Sequence, residues 1–218
     1  MKVEVKKLTD VKLLQLANSF TTGRDSHMTL ATAYCHGHSP IRTQQFWVEL
    51  TDISLFVASQ LVRSHIGVQF FQRSKRPDRG GEDFTQVCNC LAEEVRELAN
   101  YAFDNDSADE TADAIRKLSE RFDRNAPTDL AMIVNAEALI NMAHKRLCAK
   151  ASKETRDVMT QIALGVTIAD NDLAKHLVPQ CVYRGGICPE PRCCGWIFSG
   201  VGQTVLKEYI ELFTKREK

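Results

Sequence analysis

Apolar and polar residues separate onto two faces of a predicted helix in the segment 134–156. Its apolar positions recur every three to four residues, and they are Val134, Ala138, Leu139 and Met142. The other face carries Asn135, Asn141 and Arg146. Asparagine in a helix interior lowers helix propensity, so we expect these side chains to have specific partners. They either tie this pocket helix to a neighbouring element or line a common pocket for a polar, planar, anionic ligand.

Periodicity, capping residues and residue type predict the remaining elements. β-branched and aromatic residues predict strands at 29–34, at 44–50 and from residue 66 onward. The pair Thr9-Asp10 is expected to cap a helix that runs to about Phe20, and Ser152 to cap another that ends near Gly165. A short loop around residues 125–127 is expected to lead into the pocket helix. Further helices are predicted at 53–65, 84–101, 108–122, 172–177 and 203–213.

These elements predict an α+β fold in which helices pack on a modest antiparallel sheet. With 218 residues, of which 44% are hydrophobic, the chain can bury a core of its own. Residues 1–180 are expected to form the main domain. Beyond Pro179 the sequence becomes rich in cysteine and glycine, so residues 181–218 are predicted to form a separate segment that ends in a helix.

The charge balance argues against several classes of function. Lysine plus arginine and aspartate plus glutamate number 28 each, so no net charge draws the chain to nucleic acid or to an anionic membrane. No apolar run reaches the roughly 18 residues that span a bilayer, and the first residues lack the apolar stretch of a signal peptide. We therefore expect a cytoplasmic protein without a nucleic-acid or membrane partner.

Eight cysteines are many for a cytoplasmic chain of this length, because disulfides are rare in that compartment. Four of them lie close together in the sequence, and they are Cys181, Cys188, Cys193 and Cys194. Four thiolates suit a tetrahedral zinc ion, and packed or redox-active thiols are the alternative. Cys148 follows Arg146 by two residues, about 200° around a helix, and is predicted to pack in the core.

Motifs at intervals along the chain resemble a known family. Gln60-x-x-Arg63 precedes Ser74-x-Arg76, and the pocket helix follows further along the chain. These motifs, in this order, resemble the flavin-dependent thymidylate synthases, or thymidylate synthase complementing proteins, in a diverged, phage-like form. The matching positions are His38, Gln60, Arg63, Ser74, Arg76, Asn135, Asn141 and Arg146. The resemblance extends over residues 25–180.

The resemblance implies an enzyme that methylates dUMP to dTMP, with FAD as cofactor and with methylenetetrahydrofolate and NADPH as co-substrates. It also implies a homotetramer whose sites are shared between subunits. Arg146 would polarise the pyrimidine ring without a cysteine nucleophile. The residues implied to bind the nucleotide are Gln60, Gln72, Ser74, Arg76, Arg124 and Arg146. Those implied to bind the cofactor are His38, Arg63, His65, Asn135, Asn141 and Lys150.

Several positions depart from the family's pattern and leave two other functions open. Ser64 replaces a signature histidine, although His65 is adjacent, Gln72 stands in the register of a signature glutamate, and Lys150 replaces a histidine of the pocket helix. One alternative is hydroxymethylation of dUMP or dCMP, in which water replaces the hydride in the last step. The other is a zinc-stabilised interaction module with a vestigial nucleotide pocket.

Overall fold

The computed structural model describes residues 1–73 and 127–214 and, between these ranges, the helical residues 93, 95–97 and 100. The strands are β1 (Lys2–Lys7), β2 (Gln45–Ser54), β3 (Val68–Gln72) and β4 (Pro127–Asn135). The helices are α1 (Val11–Thr22), α2 (Leu30–His36), α3 (Leu55–Leu61), α4 (Ala136–Arg146), α5 (Lys153–Ala169), α6 (Asn171–Ala174), α7 (Gln180–Tyr183) and α8 (Gly200–Thr214). Short 3-10 helices cover Ser39–Thr43 and Trp196–Phe198.

The described strands form an antiparallel sheet in the order β1-β2-β4-β3. A register shift between Leu50 and Ile53 makes a bulge in β2, and Asp52 adopts a left-handed backbone conformation there, with φ of 56°. The backbone N–H of Asp52 donates to the carboxylate of Asp129 on β4 at 2.9 Å. The neighbouring strand therefore holds the bulge in place, as is common where a strand changes direction.

The side chains on one face of the sheet belong to the main hydrophobic core. Alternate residues of the two central strands are buried, as the two-residue period of a strand requires, and they are Phe46, Val48, Leu50, Leu130, Met132 and Val134. Helices α3, α4 and α5 add Leu61, Leu139 and Ile162 to the same buried cluster. Among the described helices, none is long and apolar enough to cross a membrane.

The predicted fold class is confirmed, since helices pack on a modest antiparallel sheet. Local capping signals located two of the helices correctly. Asp10 caps α1 by accepting from the N–H of Lys12 at 2.8 Å, and Ser152 caps α5 by accepting from the N–H of Thr155 at 3.3 Å. The strands predicted at 44–50 and after residue 66 are β2 and β3, and the helices predicted at 53–65, 172–177 and 203–213 are α3, α6 and α8.

The strand predicted at residues 29–34 is wrong. Thr29 instead caps α2, because its hydroxyl accepts a hydrogen bond from the N–H of Thr32 at 3.2 Å. The following turn then buries Ala33 and Tyr34 in the core. Here the capping signal of a threonine outweighs the β propensity of its neighbours.

The segment before the pocket helix also differs from the prediction. Residues 127–135 form the central strand β4, whereas the sequence predicts only a short loop around residues 125–127 before the helix. Val134 therefore belongs to the sheet, and the pocket helix is α4, which begins after Asn135 and ends at Arg146. The apolar residues of β4 lie next to those of α4 in sequence, so the two elements share one continuous apolar pattern that periodicity alone does not divide.

Part of the prediction lies outside the described residues. The helix predicted at 108–122 belongs to this part. So do three candidate nucleotide-binding residues, which are Ser74, Arg76 and Arg124. Of the helix predicted at 84–101, residues 93, 95–97 and 100 are described, and they are helical.

A buried carboxylate joins β1 to the helices that follow the sheet. Asp170 lies between α5 and α6 and is 7% exposed. It accepts hydrogen bonds from Nζ of Lys7 at 2.6 Å, from the hydroxyl of Tyr34 at 2.8 Å and from the N–H of Leu173 at 3.1 Å. Burial and the Asp170 charge raise the pKa of Tyr34, so its phenol remains a donor. Three donors thus compensate the loss of hydration of this carboxylate.

The segment after α6 builds a second, smaller apolar cluster. Its buried members are Val178, Cys181, Val182, Ile197 and Tyr209. Close packing here requires Gly202 in α8, because a Cβ at this position would collide with the backbone of Trp196 and Ile197. The predicted division into residues 1–180 and 181–218 stays a prediction.

The Asp170 contacts predict a large loss of stability in an Asp170→Asn variant. Asparagine keeps the side-chain shape but leaves the part-buried ammonium of Lys7 without a counter-charge, which should lower the free energy of unfolding by about 3 kcal/mol or more. Urea denaturation measures this change. Asp172→Asn is the matched control, because Asp172 pairs with Lys175 at the surface and its loss should cost less than about 0.5 kcal/mol. Equal losses in both variants would contradict the assignment.

Candidate functional site

The direction of the pocket helix is set by hydrogen bonds around Asn135. Its side-chain Oδ1 caps α4 by accepting from the N–H of Ala138 at 2.9 Å. Its backbone N–H donates to the carbonyl of Gly67 at 3.0 Å, and the N–H of Ala136 donates to the carbonyl of Gln44 at 2.9 Å. Gly67 has a left-handed backbone, with φ of 74°, and a Cβ there would collide with the Asn135 amide. Asn135 is thus held between β3 and α4 and serves the fold.

The C-terminal end of α4 lines a cavity of about 320 Å³, here called the Arg146 cleft. Its other walls come from α3, from the chain that follows α4 and from the segment 179–196. The charged residues that line it are the cations Lys145, Arg146 and Lys150 and the anion Glu190. The excess of cations favours an anionic ligand in this cleft.

Arg146 is held in place by Gln60 of α3. Its Nη1 donates to Oε1 of Gln60 at 3.2 Å, and its Nη2 donates to the backbone carbonyl of the same residue. Burial, with a smaller contribution from the charge of Arg63, lowers the pKa of the guanidinium below its usual range. The buried Nε has no hydrogen-bond partner among the described residues. The guanidinium is therefore fixed and partly dehydrated before any ligand arrives, which strengthens its interaction with a negative charge.

The other side of α4 lines a larger cavity of about 600 Å³, here called the Asn141 cavity. Helices α2, α4 and α8 contribute to its walls, and Asn141 is exposed. Its aromatic and imidazole side chains are Tyr34, His36, His144, His176, Tyr183, Tyr209 and Phe213. A wall of this kind favours a flat, ring-shaped ligand.

His144 lies between the two cavities and lines both. It is 6% exposed, and its ring packs on that of Tyr183 with 4.3 Å between the ring centroids. Burial lowers the pKa of His144 to about 4, so the ring is neutral near pH 7. Its Nε2 has no hydrogen-bond partner among the described residues. The uncharged ring therefore separates the positively charged Arg146 cleft from the Asn141 cavity.

The predicted site residues of the pocket helix divide between the two cavities. Gln60, Arg146 and Lys150 line the Arg146 cleft, whereas Asn141 lines the other cavity. The expectation that Asn141 and Arg146 face a common pocket within one chain is therefore wrong. Five residues along an α-helix correspond to a rotation of about 140°, which turns the two side chains to different sides.

Three of the predicted cofactor-binding residues are exposed on the surface of the chain, and they are His38, Arg63 and His65. The ring of His38 stacks on His36, with 5.6 Å between the ring centroids. Nδ1 of His65 lies 3.2 Å from the backbone carbonyl of Arg63. These side chains are accessible to a ligand and contribute to neither cavity.

Lys150 and Gln72, both at positions that depart from the family's pattern, have partners within the chain. Nζ of Lys150 lies 3.9 Å from the carboxylate of Glu190 across the Arg146 cleft. Nε2 of Gln72 donates to the hydroxyl of Thr128 on β4 at 3.2 Å. Of the six predicted cofactor-binding residues, each cavity contains one, Lys150 in the first and Asn141 in the second. Within a single chain they do not surround one ligand.

The structure does not support the predicted zinc site. Cys181 is buried, Cys188 is half-buried, and Cys193 and Cys194 are exposed. In the part of the chain that is described, no group of three His, Cys, Asp or Glu side chains could hold a metal ion. Burial raises the pKa of the Cys181 thiol, which disfavours the thiolate that zinc requires. The sulfur of Cys193 accepts instead from the N–H of Gly195 at 3.4 Å.

The prediction that Cys148 packs in the core is also corrected. It assumes that the helix continues beyond Arg146, but α4 ends at that residue. The chain then turns, and the half-buried Cys148 lines the Arg146 cleft. The rotation that a continuous helix would place between the side chains of Arg146 and Cys148 is therefore absent.

Three features of the site are missing from the sequence-based prediction. The glycine at position 67 stands between predicted elements, and its contact with Asn135 depends on how the sheet pairs. His144 lies on the pocket helix between the candidate site residues Asn141 and Arg146. This position is the sequence signal that could have marked His144 as a site residue. The segment 179–196 reaches the site only through tertiary packing, which local sequence patterns do not encode.

The family of thymidylate synthase complementing proteins matches residues 15–167 of the chain. Two crystal structures of the flavin-dependent thymidylate synthase ThyX from Helicobacter pylori with FAD and dUMP have a similar fold, with TM-scores of 0.55 and 0.53. Each is 15% identical in sequence, and the similarity covers 82% of this chain and 100% or 99% of the other. At this identity the similarity shows the fold alone. Among curated proteins, none matches the sequence significantly.

The buried His144 predicts a dependence of stability on pH. The unfolded chain takes up a proton near pH 6.5 and the folded chain only near pH 4, so the unfolded state binds more protons between these values. The free energy of unfolding should therefore fall as the pH drops from 6.5 to 4, by at most about 3 kcal/mol from this residue. Above pH 6.5 the residue should contribute no dependence.

Urea denaturation of His144→Phe between pH 4 and 7 measures this contribution, because phenylalanine keeps the ring but binds no proton. The difference from the original chain should grow in favour of the variant as the pH falls. His36→Phe is the matched control, since it makes the same change at an exposed position. Parallel curves for His144→Phe and the original chain would contradict the buried, neutral state.

Proposed function

The chain belongs to the family of thymidylate synthase complementing proteins, and we propose that it methylates C5 of dUMP to give dTMP. The proposed cofactor is FAD, and the proposed co-substrates are methylenetetrahydrofolate and NADPH. The observation that carries the proposal is Arg146, a guanidinium fixed by Gln60 in a cleft with an excess of cations. The solved structures of ThyX from Helicobacter pylori, which are complexes with FAD and dUMP, support the choice of ligands.

The nucleotide is proposed to enter the Arg146 cleft. The planar guanidinium of Arg146 would hydrogen-bond a carbonyl oxygen of the pyrimidine and stabilise the negative charge that develops there during attack by C5. Gln60 would keep the guanidinium in position, because it holds both terminal nitrogens. For the 5′-phosphate we propose Ser74, Arg76 and Arg124, since an arginine fork matches two phosphate oxygens.

A reductive methylation needs a hydride, which no side chain supplies and which bound FAD would provide once NADPH had reduced it. We propose that Arg63, His65 and Asn141 bind the flavin, together with His38 and Lys150. Their exposure and their separation within one chain favour a site that neighbouring subunits complete, as in the homotetramer that the resemblance implies. Asn135 would act indirectly, by directing the helix that carries Asn141.

Hydroxymethylation of dUMP or dCMP is the second candidate function. Gln72, in the register of a signature glutamate, donates to Thr128 and cannot act as an acid or base. The final hydride transfer is the step that distinguishes the two reactions, and water would replace the hydride in the second. The mass of the product formed from dUMP or dCMP separates the two candidates.

Arg146→Lys tests the function and the role of the guanidinium together. The original chain, supplied with FAD, NADPH, methylenetetrahydrofolate and dUMP, should form dTMP, detected by mass spectrometry. Lysine keeps the charge but cannot reproduce the two hydrogen bonds with Gln60, so turnover should fall by about two orders of magnitude. Arg184→Lys makes the same chemical change at an exposed site and should leave turnover unchanged. Near-normal turnover in Arg146→Lys would refute the role.

Flavin binding is tested separately from turnover. Protein purified with FAD present should show flavin absorbance, and Arg63→Ala should weaken flavin binding about ten- to a hundredfold, through loss of a charge-assisted hydrogen bond. Arg24→Ala removes another exposed arginine and should bind flavin normally. A colourless protein that does not respond to added FAD would contradict the proposed cofactor.

A further inference from the structure

A thiol and an imidazole lie next to each other at the wall of the Asn141 cavity. Sγ of Cys35, on α2, is 3.6 Å from Nε2 of His176, which follows α6. This distance is within hydrogen-bond reach of a sulfur atom, and both residues line the cavity. The two are 141 residues apart in sequence, so only the fold brings them together. A thiol beside an imidazole is one arrangement by which proteins make a cysteine nucleophilic.

Aromatic rings hold the imidazole of His176 in position. The residue is 4% exposed. Its ring centroid lies 6.3 Å from that of Tyr34 on α2. The rings of Tyr209 and Phe213, on α8, meet it edge to face at 6.0 and 6.3 Å. A ring that is packed on several sides is restrained from turning away from the sulfur, and a base that activates a nucleophile needs to be oriented in this way.

The sulfur of Cys35 is accessible and lies near a neutral phenol. Cys35 is half-buried and lines a cavity of about 600 Å³, which is large enough for a small organic molecule. Burial, followed by the charges of Tyr183 and Cys35, raises the pKa of Tyr209 to about 12, so this phenol keeps its proton near pH 7. Tyr209 therefore places no negative charge beside the thiol that would oppose its ionisation.

A second observation marks the same cavity as a ligand site. His144, which is 6% exposed, also lines it, and its Nε2 has no hydrogen-bond partner among the described residues. Buried polar atoms normally have hydrogen bonds, and an exception calls for an explanation such as a functional role. A ligand in the cavity would supply the missing partner.

We propose that Cys35 is a nucleophilic thiol, with His176 as its base, and that it reacts with small disulfides in the Asn141 cavity. The product is a mixed disulfide, whose added group lies in the cavity and narrows it for any other ligand. The reaction does not depend on the proposed function, because it involves neither the nucleotide nor the Arg146 cleft. The pyrimidine takes no part in it, so activation by Arg146 without a cysteine nucleophile is unchanged.

The exchange balances in atoms and electrons. In the tautomer of His176 that carries its proton on Nδ1, Nε2 takes the proton of the Cys35 thiol. The Cys35 sulfur attacks one sulfur of the disulfide, a new S–S bond forms and the original S–S bond breaks. The leaving thiolate then takes the proton from Nε2. Cys35 is oxidised and the leaving sulfur is reduced, so the small disulfide is the oxidant and an added thiol reverses the exchange.

Bis(2-hydroxyethyl) disulfide is the probe for this reaction, because it is small and uncharged. The full chain is incubated with it at pH 7, and mass spectrometry with peptide mapping follows the adduct on each cysteine. Cys35 should react at least about tenfold faster than Cys193, which is exposed and whose sulfur contacts the N–H of Gly195 instead of an imidazole. Dithiothreitol should remove the adduct. Cys35→Ser should lose the fast reaction, and Cys193→Ser, the matched control, should keep it.

His176→Gln distinguishes a base from a residue that only packs. Glutamine keeps a polar side chain of similar size but cannot take up the thiol proton, so the rate at Cys35 should fall about tenfold or more at pH 7. At about pH 9.5 a thiol without a base is largely ionised, so the rates of the variant and of the original chain should converge. A packing role would leave the same difference at both pH values. His27→Gln makes the same change at an exposed imidazole and should leave the rate at Cys35 unchanged.

Two results would overturn the pairing of Cys35 with His176 as nucleophile and base. One is a rate at Cys35 of the original chain that is no higher than the rate at Cys193. The other is a rate in His176→Gln that equals the original at pH 7, or that stays lower by the same factor at the higher pH. Neither result bears on the methylation of dUMP, so the proposed function would stand.

Discussion

The site depends on the junction at Asn135, where the central strand of the sheet becomes the pocket helix. Three hydrogen bonds, to Gly67, Gln44 and Ala138, fix the direction in which α4 leaves the sheet. An amide side chain can cap a helix and still pack against a glycine, whereas an apolar residue would leave the first turn of α4 without its acceptor. The positions of all functional side chains on α4 follow from this one direction.

A helix fixed in this way can present different chemistry on its two sides. One side carries the guanidinium of Arg146 into a cleft with an excess of cations, and the other carries the amide of Asn141 into an aromatic cavity. His144 separates them as a neutral ring, because burial holds its pKa near 4. A charged side chain at position 144 would place a second buried charge close to Arg146. The free-energy cost of removing both charges from water would then destabilise α4.

The parts of the structure that were predictable depend on local signals. Asp10 and Ser152 located two helix starts because a cap acts within three residues. Gln60 and Arg146 are both predicted to bind the nucleotide, and in the structure their side chains are hydrogen-bonded although they are 86 residues apart in sequence. Strand β4 is missing from the prediction and α4 ends earlier than predicted, since sheet pairing and the turn after Arg146 are decided by tertiary contacts. The cleft wall at 179–196 has no local signal for the same reason.

The ion pair between Lys7 and Asp170 closes a loop of 163 residues and is therefore among the most non-local contacts of the chain. During synthesis, the ammonium on the first strand has no buried counter-charge until the residues after α5 have left the ribosome. The edge strand β1 is also the neighbour of β2 and the surface against which α5 packs. The order of synthesis thus delays closure of the core, and with it the assembly of both cavities, until the segment after α5 has been made.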